Sequence, residues 1–489
     1  MNHERHAPLE IAPERFRELG HALVEEIAAF LASLPGRAVT RDAAPRELRA
    51  LLPAGGVPQR GSDPGELLRE AAPLLFEHSL FNGHPRFFGY ITSSAAPIGA
   101  LADLLAAAIN PNVGGWQLSP LASEIELQCV RWIAELLGFP LGAGLLVSGG
   151  NMANFVGFLA ARRARAPQES KRAGLAGSRL RVYASTETHT WIYKAADLFG
   201  HGTDAIRAIP VDAELRADTA WLRERIARDR AEGDQPFLVV GNAGTVATAA
   251  VDPLPEMAAI AAEHGLWFHV DAAYGGFGVL APEAPADLAA GLARADSIAV
   301  DPHKWLYAPL EAGCALVREP TALSATFGYT PSYYSFASAD DDPRVSFYEL
   351  GPQNSRGFRA LKVWLGLRQA GREGYARMIA DDCRLARELY RLAGAHPELE
   401  AVTCALSIAT FRFVPAGARG EEAYLDALNE KLLERLKAGG EIFLSNAVVN
   451  GRFLLRACVV NFRTGPADVA AVIDVVVREG RRLHRELRS

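Results

Sequence analysis

Lys304 and Asp271 are the two residues whose types and surroundings point most directly to chemistry. Lys304 stands in SIAVDPHKW (residues 297–305), closely after a short apolar run that predicts a strand. A lysine at the carboxyl end of a strand, among apolar neighbours, can lose its proton and act as an amine nucleophile. Asp271 stands 33 residues earlier (304 − 271), in HVDAAYGG, also after an apolar run. This spacing fits one βαβ unit, so we expect both side chains at the same edge of one sheet.

This pair of residues indicates a particular cofactor. A lysine that forms a Schiff base and a carboxylate that faces a ring nitrogen are what pyridoxal phosphate requires of its protein. Asp271 would keep the pyridine nitrogen protonated, so that the ring can accept the electrons of a carbanion. Side chains alternate in direction along a strand, so Ala273 is expected on the face of Asp271, where its small size lets a flat ring approach. A lysine considered alone would more often be a surface residue.

Three further segments could complete such a site. The segment GLLVSGGNMAN (residues 144–154) reads as a strand, a glycine turn and a helix start, which presents backbone N–H groups to an anion. Alone it would read as an ordinary helix start, but beside Asp271 and Lys304 it favours a phosphate site. His189 precedes a helical stretch and is a candidate to stack on the ring and to transfer protons. Thr245 follows the strand-like run FLVV and could bond the ring's substituents.

The elements that must position these residues alternate along the middle of the chain. Strand-like runs and helical patterns follow one another at residues 237–240, 255–264, 266–270, 285–294 and 297–300. Such alternation predicts βαβ units and a mostly parallel sheet, with ligands at the carboxyl ends of the strands. The predicted fold class is therefore α/β.

The two ends of the chain follow other patterns. Apolar residues from Phe16 to Leu34 recur at helical spacing, which predicts an N-terminal helix that packs on the chain's own core or on another subunit. After about residue 370, helical patterns mix with short strand-like runs (407–413 and 452–460), which indicates a smaller α+β domain. We therefore predict an N-terminal helical segment (1–96), a large α/β domain (97–372) and a small domain (373–489).

Composition narrows the class of protein. The 489 residues carry 51 basic and 57 acidic side chains, a net charge of −6, which argues against nucleic acid or an anionic membrane as a partner. The five cysteines are scattered without a CxxC pair, so we expect no metal site and no disulfide framework, and reduced thiols of a cytoplasmic protein. The charged N-terminus does not resemble a secretory signal, and no apolar stretch is long enough to span a membrane.

Several segments, taken in order, resemble one known family over nearly the whole chain. They are HPRFFGY (84–90), WQLSPLASEIE (116–126), VSGGNMAN (147–154), HVDAAYGG (269–276), DPHKW (301–305) and NSRGFRALK (354–362). The chain resembles the group II pyridoxal-phosphate-dependent amino acid decarboxylases, of the aromatic-L-amino-acid decarboxylase type. These motifs are specific for the superfamily and its fold, and much less specific for the substrate.

The resemblance implies a fold type I enzyme and a role for each matching residue. Lys304 would hold the cofactor as a Schiff base and Asp271 would pair with its ring nitrogen, while His189 and Ala273 would enclose the ring. Gly150, Asn151 and His303 would contact the phosphate, Thr245 would lie near the ring hydroxyl, and Arg356 would lie near the phosphate and the subunit boundary. The family's mobile loop matches residues 327–344, where the catalytic tyrosine falls on Tyr333, with Tyr334 as the alternative.

The chain also departs from the family's usual pattern. Asn151-Met152-Ala153 replaces a frequent Ser-Glu-Ala, Gly357 replaces a second arginine, and Ile91 and Thr92 replace an aromatic residue and a proline. The expected substrate pocket is largely apolar, with no evident cation for a distal carboxylate, which disfavours glutamate and aspartate. Its expected residues are Tyr90, Ile91, Thr92, Ser93 and Trp116.

The resemblance implies decarboxylation of an L-amino acid to its amine by a homodimer, with the active site at the subunit interface and the N-terminal helix around the partner. One alternative is oxidative decarboxylation–deamination to an aldehyde, but such relatives tend to replace the loop tyrosine or the stacking histidine, and this chain keeps Tyr333 and His189. Another is an aminotransferase or carbon–carbon lyase on the same fold. A non-enzymatic paralogue should have lost Lys304 or Asp271, and both are present.

Overall fold

The computed structural model describes residues 7–329 and 344–489, so the predicted catalytic Tyr333 and its neighbour Tyr334 lie outside the described residues. The helices are α1 (Pro13–Ser33), α2 (Pro45–Ala50), α3 (Pro64–His78), α4 (Pro97–Ile109), α5 (Pro120–Leu137), α6 (Gly150–Arg165), α7 (Ser170–Ala173), α8 (Trp191–Leu198), α9 (Thr219–Ala231), α10 (Leu254–Glu263), α11 (Ala286–Leu292), α12 (Pro302–Trp305), α13 (Ala322–Phe327), α14 (Ala360–Ala395), α15 (Glu422–Gly439) and α16 (Pro466–Arg488). The strands are β1 (Ala143–Val147), β2 (Leu180–Ser185), β3 (Ile206–Ile209), β4 (Gln235–Asn242), β5 (Trp267–Asp271), β6 (Ser297–Val300), β7 (Gly313–Val317), β8 (Leu399–Ala405), β9 (Ile408–Phe413), β10 (Ser445–Val449) and β11 (Arg452–Cys458).

The central sheet has seven strands in the order β1-β7-β6-β5-β4-β2-β3. Strands β3, β2, β4, β5 and β6 are parallel neighbours, whereas β7 runs antiparallel to both β6 and β1. The prediction of an α/β fold with a mostly parallel sheet is therefore confirmed, and the predicted strands 237–240, 266–270 and 297–300 correspond to β4, β5 and β6.

Helices cover both faces of this sheet, which explains why its inner strands are continuous apolar runs. All four residues of β6 are buried, and β4 is buried from Phe237 to Asn242. One core lies on the side of α5 and α10, and a second lies on the side of α6 and α8. A parallel sheet buried on both faces leaves its ligand site at the strand ends rather than on a face.

The C-terminal part forms a second, antiparallel sheet of four strands in the order β10-β11-β9-β8. Helices α14, α15 and α16 pack on this sheet around a separate core. The 36-residue α14 crosses the predicted boundary between residues 372 and 373, and it is interrupted at Gly371, whose φ is +63°. Among the helices of the two described ranges, none is long and apolar enough to cross a membrane.

The N-terminal helices leave apolar side chains uncovered in the single chain. Helix α1 has no buried residue and contacts α3, where Phe30 and Phe76 stack with ring centroids 4.5 Å apart. Near the start of the same helix α1, Phe16 is 57% exposed. The predicted helix is therefore present, and its apolar stripe is only partly covered by the chain itself.

Candidate active site

A cavity of about 540 Å³ opens at the carboxyl ends of three parallel strands. The sheet register pairs Asn242 at the end of β4 with Asp271 at the end of β5, and Asp271 with Ala299 of β6. Because the strands are parallel neighbours, the segments that follow them meet at one edge of the sheet. Asp271 and Lys304 therefore both line this cavity, as their spacing in the sequence predicts.

The structure brings most of the predicted site residues to this cavity. The predicted residues in its wall are Ile91, Gly150, Asn151, His189, Thr245, Asp271, Ala273, His303 and Lys304. The wall also contains residues that the sequence reasoning did not single out, among them Ser148, Asn154, Asn242 and Asp301. Asp301 is the first residue of the DPHKW motif, so the motif that identified Lys304 could also have identified Asp301 as a site residue.

Lys304 lies on the single turn of α12, held by an acidic neighbour. Its Nζ lies 3.0 Å from Asp301 Oδ2, three residues before it in the chain. The Asp301 side chain is only 2% exposed, and its Oδ1 has no hydrogen-bond partner among the described residues. A buried carboxylate oxygen without a donor is costly, so a further donor is expected here when the cavity is filled.

Asp271 is held by two donors. The indole Nε1–H of Trp191 donates to Asp271 Oδ2 (2.7 Å), and the backbone N–H of Ala273 donates to Oδ1 (3.2 Å). Strand β5 ends at Asp271, so Ala273 reaches the cavity from the turn beyond the strand and not through strand alternation. The carboxylate is thus fixed while it still faces the cavity.

The two histidines of the site are both disfavoured as cations. Burial lowers the pKa of His189, and the nearby Asp271 opposes this only in part. Burial also lowers the pKa of His303, whose Nδ1 lies 2.7 Å from the carbonyl oxygen of Ala312. The backbone N–H of Trp191 donates to His189 Nδ1 (3.2 Å), which leaves the proton of the neutral ring on Nε2.

The turn before α6 is shaped for an anion. Gly149 has a φ of +135°, a backbone conformation that favours glycine, and no side chain within residues 7–329 or 344–489 caps the helix. A Cβ on Gly150 would lie 2.7 Å from Asp301 Oδ2 and 3.0 Å from Ala273 Cβ. Backbone N–H groups of the first helical turn therefore have no side-chain partner among the described residues, at a wall with no room for a larger residue.

Hydrogen bonds between buried polar residues hold the elements that border the cavity in place. His269 on β5 lies between Asn154 and Ser297, with both ring nitrogens 2.7 Å from their partners, and burial lowers its pKa to about 4. Asn242 Nδ2 donates to Asp252 Oδ2 (2.7 Å), and burial raises the pKa of that carboxyl to about 6. These contacts fix α6 and β4 where they border the cavity.

Arg356 is not brought to the cavity. Its side chain is 1% exposed and forms an ion pair with the fully buried Glu126. It also donates to the carbonyl oxygens of Val113 (2.9 Å) and Leu146 (2.5 Å). The arrangement joins the end of β1 to the segment before α14, so in the single chain Arg356 contacts protein groups only.

Four of the five expected substrate-pocket residues also lie outside the cavity wall of the single chain. Tyr90 is 54% exposed, and Ser93 Oγ donates to the carbonyl oxygen of His303 (2.7 Å). Trp116 donates from its indole to Glu124 Oε1 (2.7 Å), and Thr92 Oγ1 is buried without a partner among the described residues. Only Ile91 of this group borders the cavity.

The remaining wall of the cavity is apolar. It is formed by Ile91, Met152, Phe155, Val246 and Leu310. Among the described residues of the wall there is no arginine, and Lys304 is the one lysine.

The comparisons with known proteins agree with this geometry. The family model for the pyridoxal-dependent decarboxylase conserved domain matches residues 45–413, which is most of the chain. The chain belongs to the pyridoxal-dependent decarboxylase family. The resemblance predicted from the motifs is therefore confirmed, and the protein is a decarboxylase of this family that uses pyridoxal phosphate.

Individual relatives within the family match over nearly their whole length. The aromatic-L-amino-acid decarboxylase of Bacillus atrophaeus is 33% identical over 467 residues, which are 95% of each chain. The phenylacetaldehyde synthase of Arabidopsis thaliana is 29% identical, over 91% of this chain and 92% of the relative. The crystal structure of Oryza sativa TDC with PLP and tryptamine superimposes with a TM-score of 0.91 at 28% identity, over 98% of this chain and all of that one. The predicted fold type I architecture is therefore confirmed.

The cavity fits the family's cofactor. It places a lysine and an aspartate at one sheet edge, and it has a glycine turn with no room for a Cβ. It also contains a buried oxygen, Asp301 Oδ1, that lacks a donor among the described residues. The lysine suits the cofactor's aldehyde, the aspartate suits its ring nitrogen, and the glycine turn suits its phosphate. The buried oxygen can accept a hydrogen bond from a further polar group of the bound molecule.

Proposed function

We propose that this protein removes the α-carboxylate of an aromatic or similarly apolar L-amino acid as CO2 and releases the amine. The observation that carries the proposal is the cavity itself, which combines Asp271, Lys304 and the open start of α6 with an apolar wall. When bound, pyridoxal phosphate supplies an electron-accepting ring that takes up the bonding pair of the broken carbon–carbon bond. The names of the relatives support the substrate class.

Each of the site residues would have a separate role in the reaction. Lys304 Nζ would bind the cofactor's aldehyde carbon, and Asp301, 3.0 Å away, would orient the amine. Asp271, fixed by its two donors, would hold a proton on the ring nitrogen. Neutral His189 would lie against the ring and present its Nε2–H to the reacting groups. Tyr333 would return a proton to the α-carbon.

The phosphate would lie at the start of α6. Gly150 and Asn151 would donate backbone N–H groups, and His303 would face the turn, because its Cε1 lies 3.4 Å from the position of a Cβ on Gly149. Thr245 would lie near the ring hydroxyl. Asn151 replaces the serine that is frequent in the family, and its amide can still donate to phosphate oxygens. For Arg356 we propose no direct phosphate contact from the same chain, because its donors are used by protein oxygens.

Substrate choice would follow from the wall of the cavity. Its apolar side chains suit an aromatic or aliphatic group, and the described part of the wall offers no second cation for a distal carboxylate. The same feature disfavours an aminotransferase, which needs an arginine for its acidic substrates. We propose that the pocket residues outside this wall, Tyr90, Thr92, Ser93 and Trp116, take part only in an assembled dimer.

We propose a homodimer with the active site at its interface. In the single chain α4 exposes Leu101, Leu104, Leu105 and Ile109, each at least half exposed. Apolar surface of this extent suits a second copy of the chain. Leu105→Glu should convert the protein to monomers in sedimentation velocity, whereas Leu487→Glu on α16 should not. A monomeric native protein would contradict the proposal.

A cytoplasmic location is part of the same proposal. All five cysteines are free, and four of them are buried. Free, buried thiols are typical of proteins in reducing compartments.

The test of the proposed reaction is mass spectrometry of the products. The purified, cofactor-loaded protein is incubated with each common L-amino acid, with dihydroxyphenylalanine, with hydroxytryptophan and with diaminobutyrate. An amine from an aromatic member is the expected result, and an amine from glutamate or aspartate alone would contradict the apolar wall. Lys304→Ala should lose the borohydride-reducible link to the cofactor. Retention of that link at another lysine would refute the assignment of Lys304.

Aldehyde formation is the second candidate function, because phenylacetaldehyde synthases are among the relatives. We favour the amine because Tyr333 and His189 are both present. Tyr333→Phe should bind the cofactor normally, lose amine production and gain aldehyde and ammonia, with Tyr334→Phe as its matched control. Unchanged amine output from Tyr333→Phe together with loss in Tyr334→Phe would transfer the role to Tyr334.

A further inference from the structure

We propose that Trp191 is a positioning residue that fixes both side chains expected to contact the cofactor ring and keeps the ring proton on the cofactor. The inference rests on the proposed roles of Asp271 and His189. It concerns a residue that lies outside the cavity wall and that the motifs do not mark.

The geometry that supports this role is a double contact from one residue. Through its indole, Trp191 donates to Asp271 Oδ2 at 2.7 Å, and through its backbone N–H it donates to His189 Nδ1 at 3.2 Å. Trp191 is the first residue of α8, two residues after His189 and 80 residues before Asp271. It therefore ties the segment before α8 to the end of β5.

The indole itself is held firmly. Trp191 is fully buried in the core on the α6 side of the sheet, and its ring meets the His269 ring edge-on, with centroids 5.8 Å apart and planes at 80°. Its Nε1–H therefore has one available direction, toward Asp271. A buried indole N–H requires an acceptor, and here the acceptor is the carboxylate that faces the cavity.

The contact has a consequence for the location of a proton. A hydrogen bond to a carboxylate stabilises its charged form and makes it a weaker base. Trp191 donates to Oδ2 and the Ala273 N–H donates to Oδ1, so both oxygens of Asp271 already accept a hydrogen bond, and a proton shared with a ring nitrogen would reside on the ring. The backbone contact acts in parallel, because it fixes the tautomer of His189 with its proton on Nε2.

The experiment compares Trp191→Phe with Trp267→Phe as a matched control. Trp267 lies on β5 in the same core, and its indole also makes one 2.7 Å hydrogen bond, to Ser297 Oγ, but it does not line the cavity or contact Asp271. Both variants lose similar volume and one indole donor. The apoprotein of each is titrated with pyridoxal phosphate and with an analogue that has carbon in place of the ring nitrogen.

We expect Trp191→Phe to bind pyridoxal phosphate about tenfold more weakly, because the cofactor must then order an Asp271 side chain that is no longer held in place before it binds. It should bind the analogue without the ring nitrogen within about twofold of the native protein, because the lost contact acts through that atom. With ¹⁵N-labelled cofactor, the ring-nitrogen resonance should move toward the unprotonated position in Trp191→Phe and stay in place in Trp267→Phe.

A purely structural role for Trp191 would give a different pattern. The two ligands would then be weakened equally, and the ring-nitrogen resonance would not move, which would overturn the inference. If Trp191→Phe does not fold, replacement of Trp191 by its benzothienyl isostere, which keeps the shape and lacks the N–H, supplies the same comparison. Asp271→Asn distinguishes a failure of the proposed cofactor site from a failure of the role of Trp191. If Asp271→Asn leaves cofactor affinity unchanged, the proposed site fails, whereas loss there without an effect in Trp191→Phe refutes this inference alone.

Discussion

Asp382 couples the long helix α14 to the segment that carries Lys304, and its titration should be measurable as a pH dependence of stability. Trp305 Nε1 (2.9 Å) and the Tyr307 hydroxyl (2.6 Å) both donate to Asp382 Oδ2. Both donors follow Lys304 closely in the chain. Burial raises the pKa of Asp382 to about 7 from an ordinary value of 3.8, against the opposing effect of these hydrogen bonds.

The sign and size of the effect follow from this pKa. A carboxyl whose pKa is higher in the folded protein contributes its full stability only below pH 3.8, and this contribution is lost as the pH rises through about 7. From pH 5 the loss is about 1.4 kcal/mol per pH unit, and it becomes smaller as the pH approaches 7. It amounts to about 2 kcal/mol at pH 7 and to about 3 kcal/mol at pH 8. In the variant Asp382→Asn the side-chain amide would not titrate, and its oxygen could accept the same two hydrogen bonds. Asp382→Asn should therefore become more stable relative to the native protein by about 3 kcal/mol between pH 5 and pH 8.

The assay is urea unfolding of both proteins at pH 5, 6, 7 and 8, at one protein concentration, because assembly would shift the apparent stability. Asp381→Asn is the matched control, since Asp381 is adjacent, 63% exposed and paired with the neighbouring surface residue Arg384. It should change little across this pH range. A constant difference between Asp382→Asn and the native protein from pH 5 to pH 8 would contradict this prediction, because it would show that Asp382 does not titrate near neutrality.

Two further predictions concern the cavity and its support. Gly150→Ala should weaken pyridoxal phosphate binding at least about tenfold, because its Cβ would lie 2.7 Å from Asp301 Oδ2. Gly36→Ala, whose Cβ would meet no described atom within 4 Å, should bind normally. Equal affinities of the two variants in cofactor titrations would contradict the anion site. Glu126→Gln should cost about 3 kcal/mol in urea unfolding, because it leaves the guanidinium of Arg356 buried without its counter-charge; a loss below about 1 kcal/mol, as for a surface pair, would show that the pair is not a structural tie.

The parts of the fold that the sequence predicted are those set by local pattern. The runs FLVV and SIAV are apolar without interruption, so β4 and β6 were predictable as buried strands, and the helices between them follow from their period. The direction of β7 was not predictable in this way. Only residues 301–312 separate it from β6, and they carry the lysine segment. A connection this short, without a full crossover helix, returns the chain antiparallel.

The same distinction applies to the candidate site, where residues at strand ends were predictable and contacts between distant segments were not. Asp271 and Lys304 were predictable because each follows a strand, and parallel neighbours bring strand ends together. Trp191 and Asp382 were not, because their partners lie 80 and 77 residues away in the chain, and no periodicity encodes such a pair. The partner of Arg356 was equally hidden, since an arginine in a motif does not show which of several anions it meets.

The contacts of the Lys304 segment show that the position of this lysine depends on parts of the molecule far from the cavity. Asp301 holds the amine from within the motif. Two residues of α14 also contact this segment. Asp382 accepts hydrogen bonds from Trp305 and Tyr307, and the Tyr375 hydroxyl donates to the carbonyl oxygen of Leu306 (3.1 Å). Both α14 residues lie after the interruption at Gly371, in the half of the helix that packs on the C-terminal sheet. A displacement of that half would therefore shift the residues next to Lys304 through these hydrogen bonds. Substitutions in the C-terminal core should therefore change cofactor affinity without altering any cavity residue.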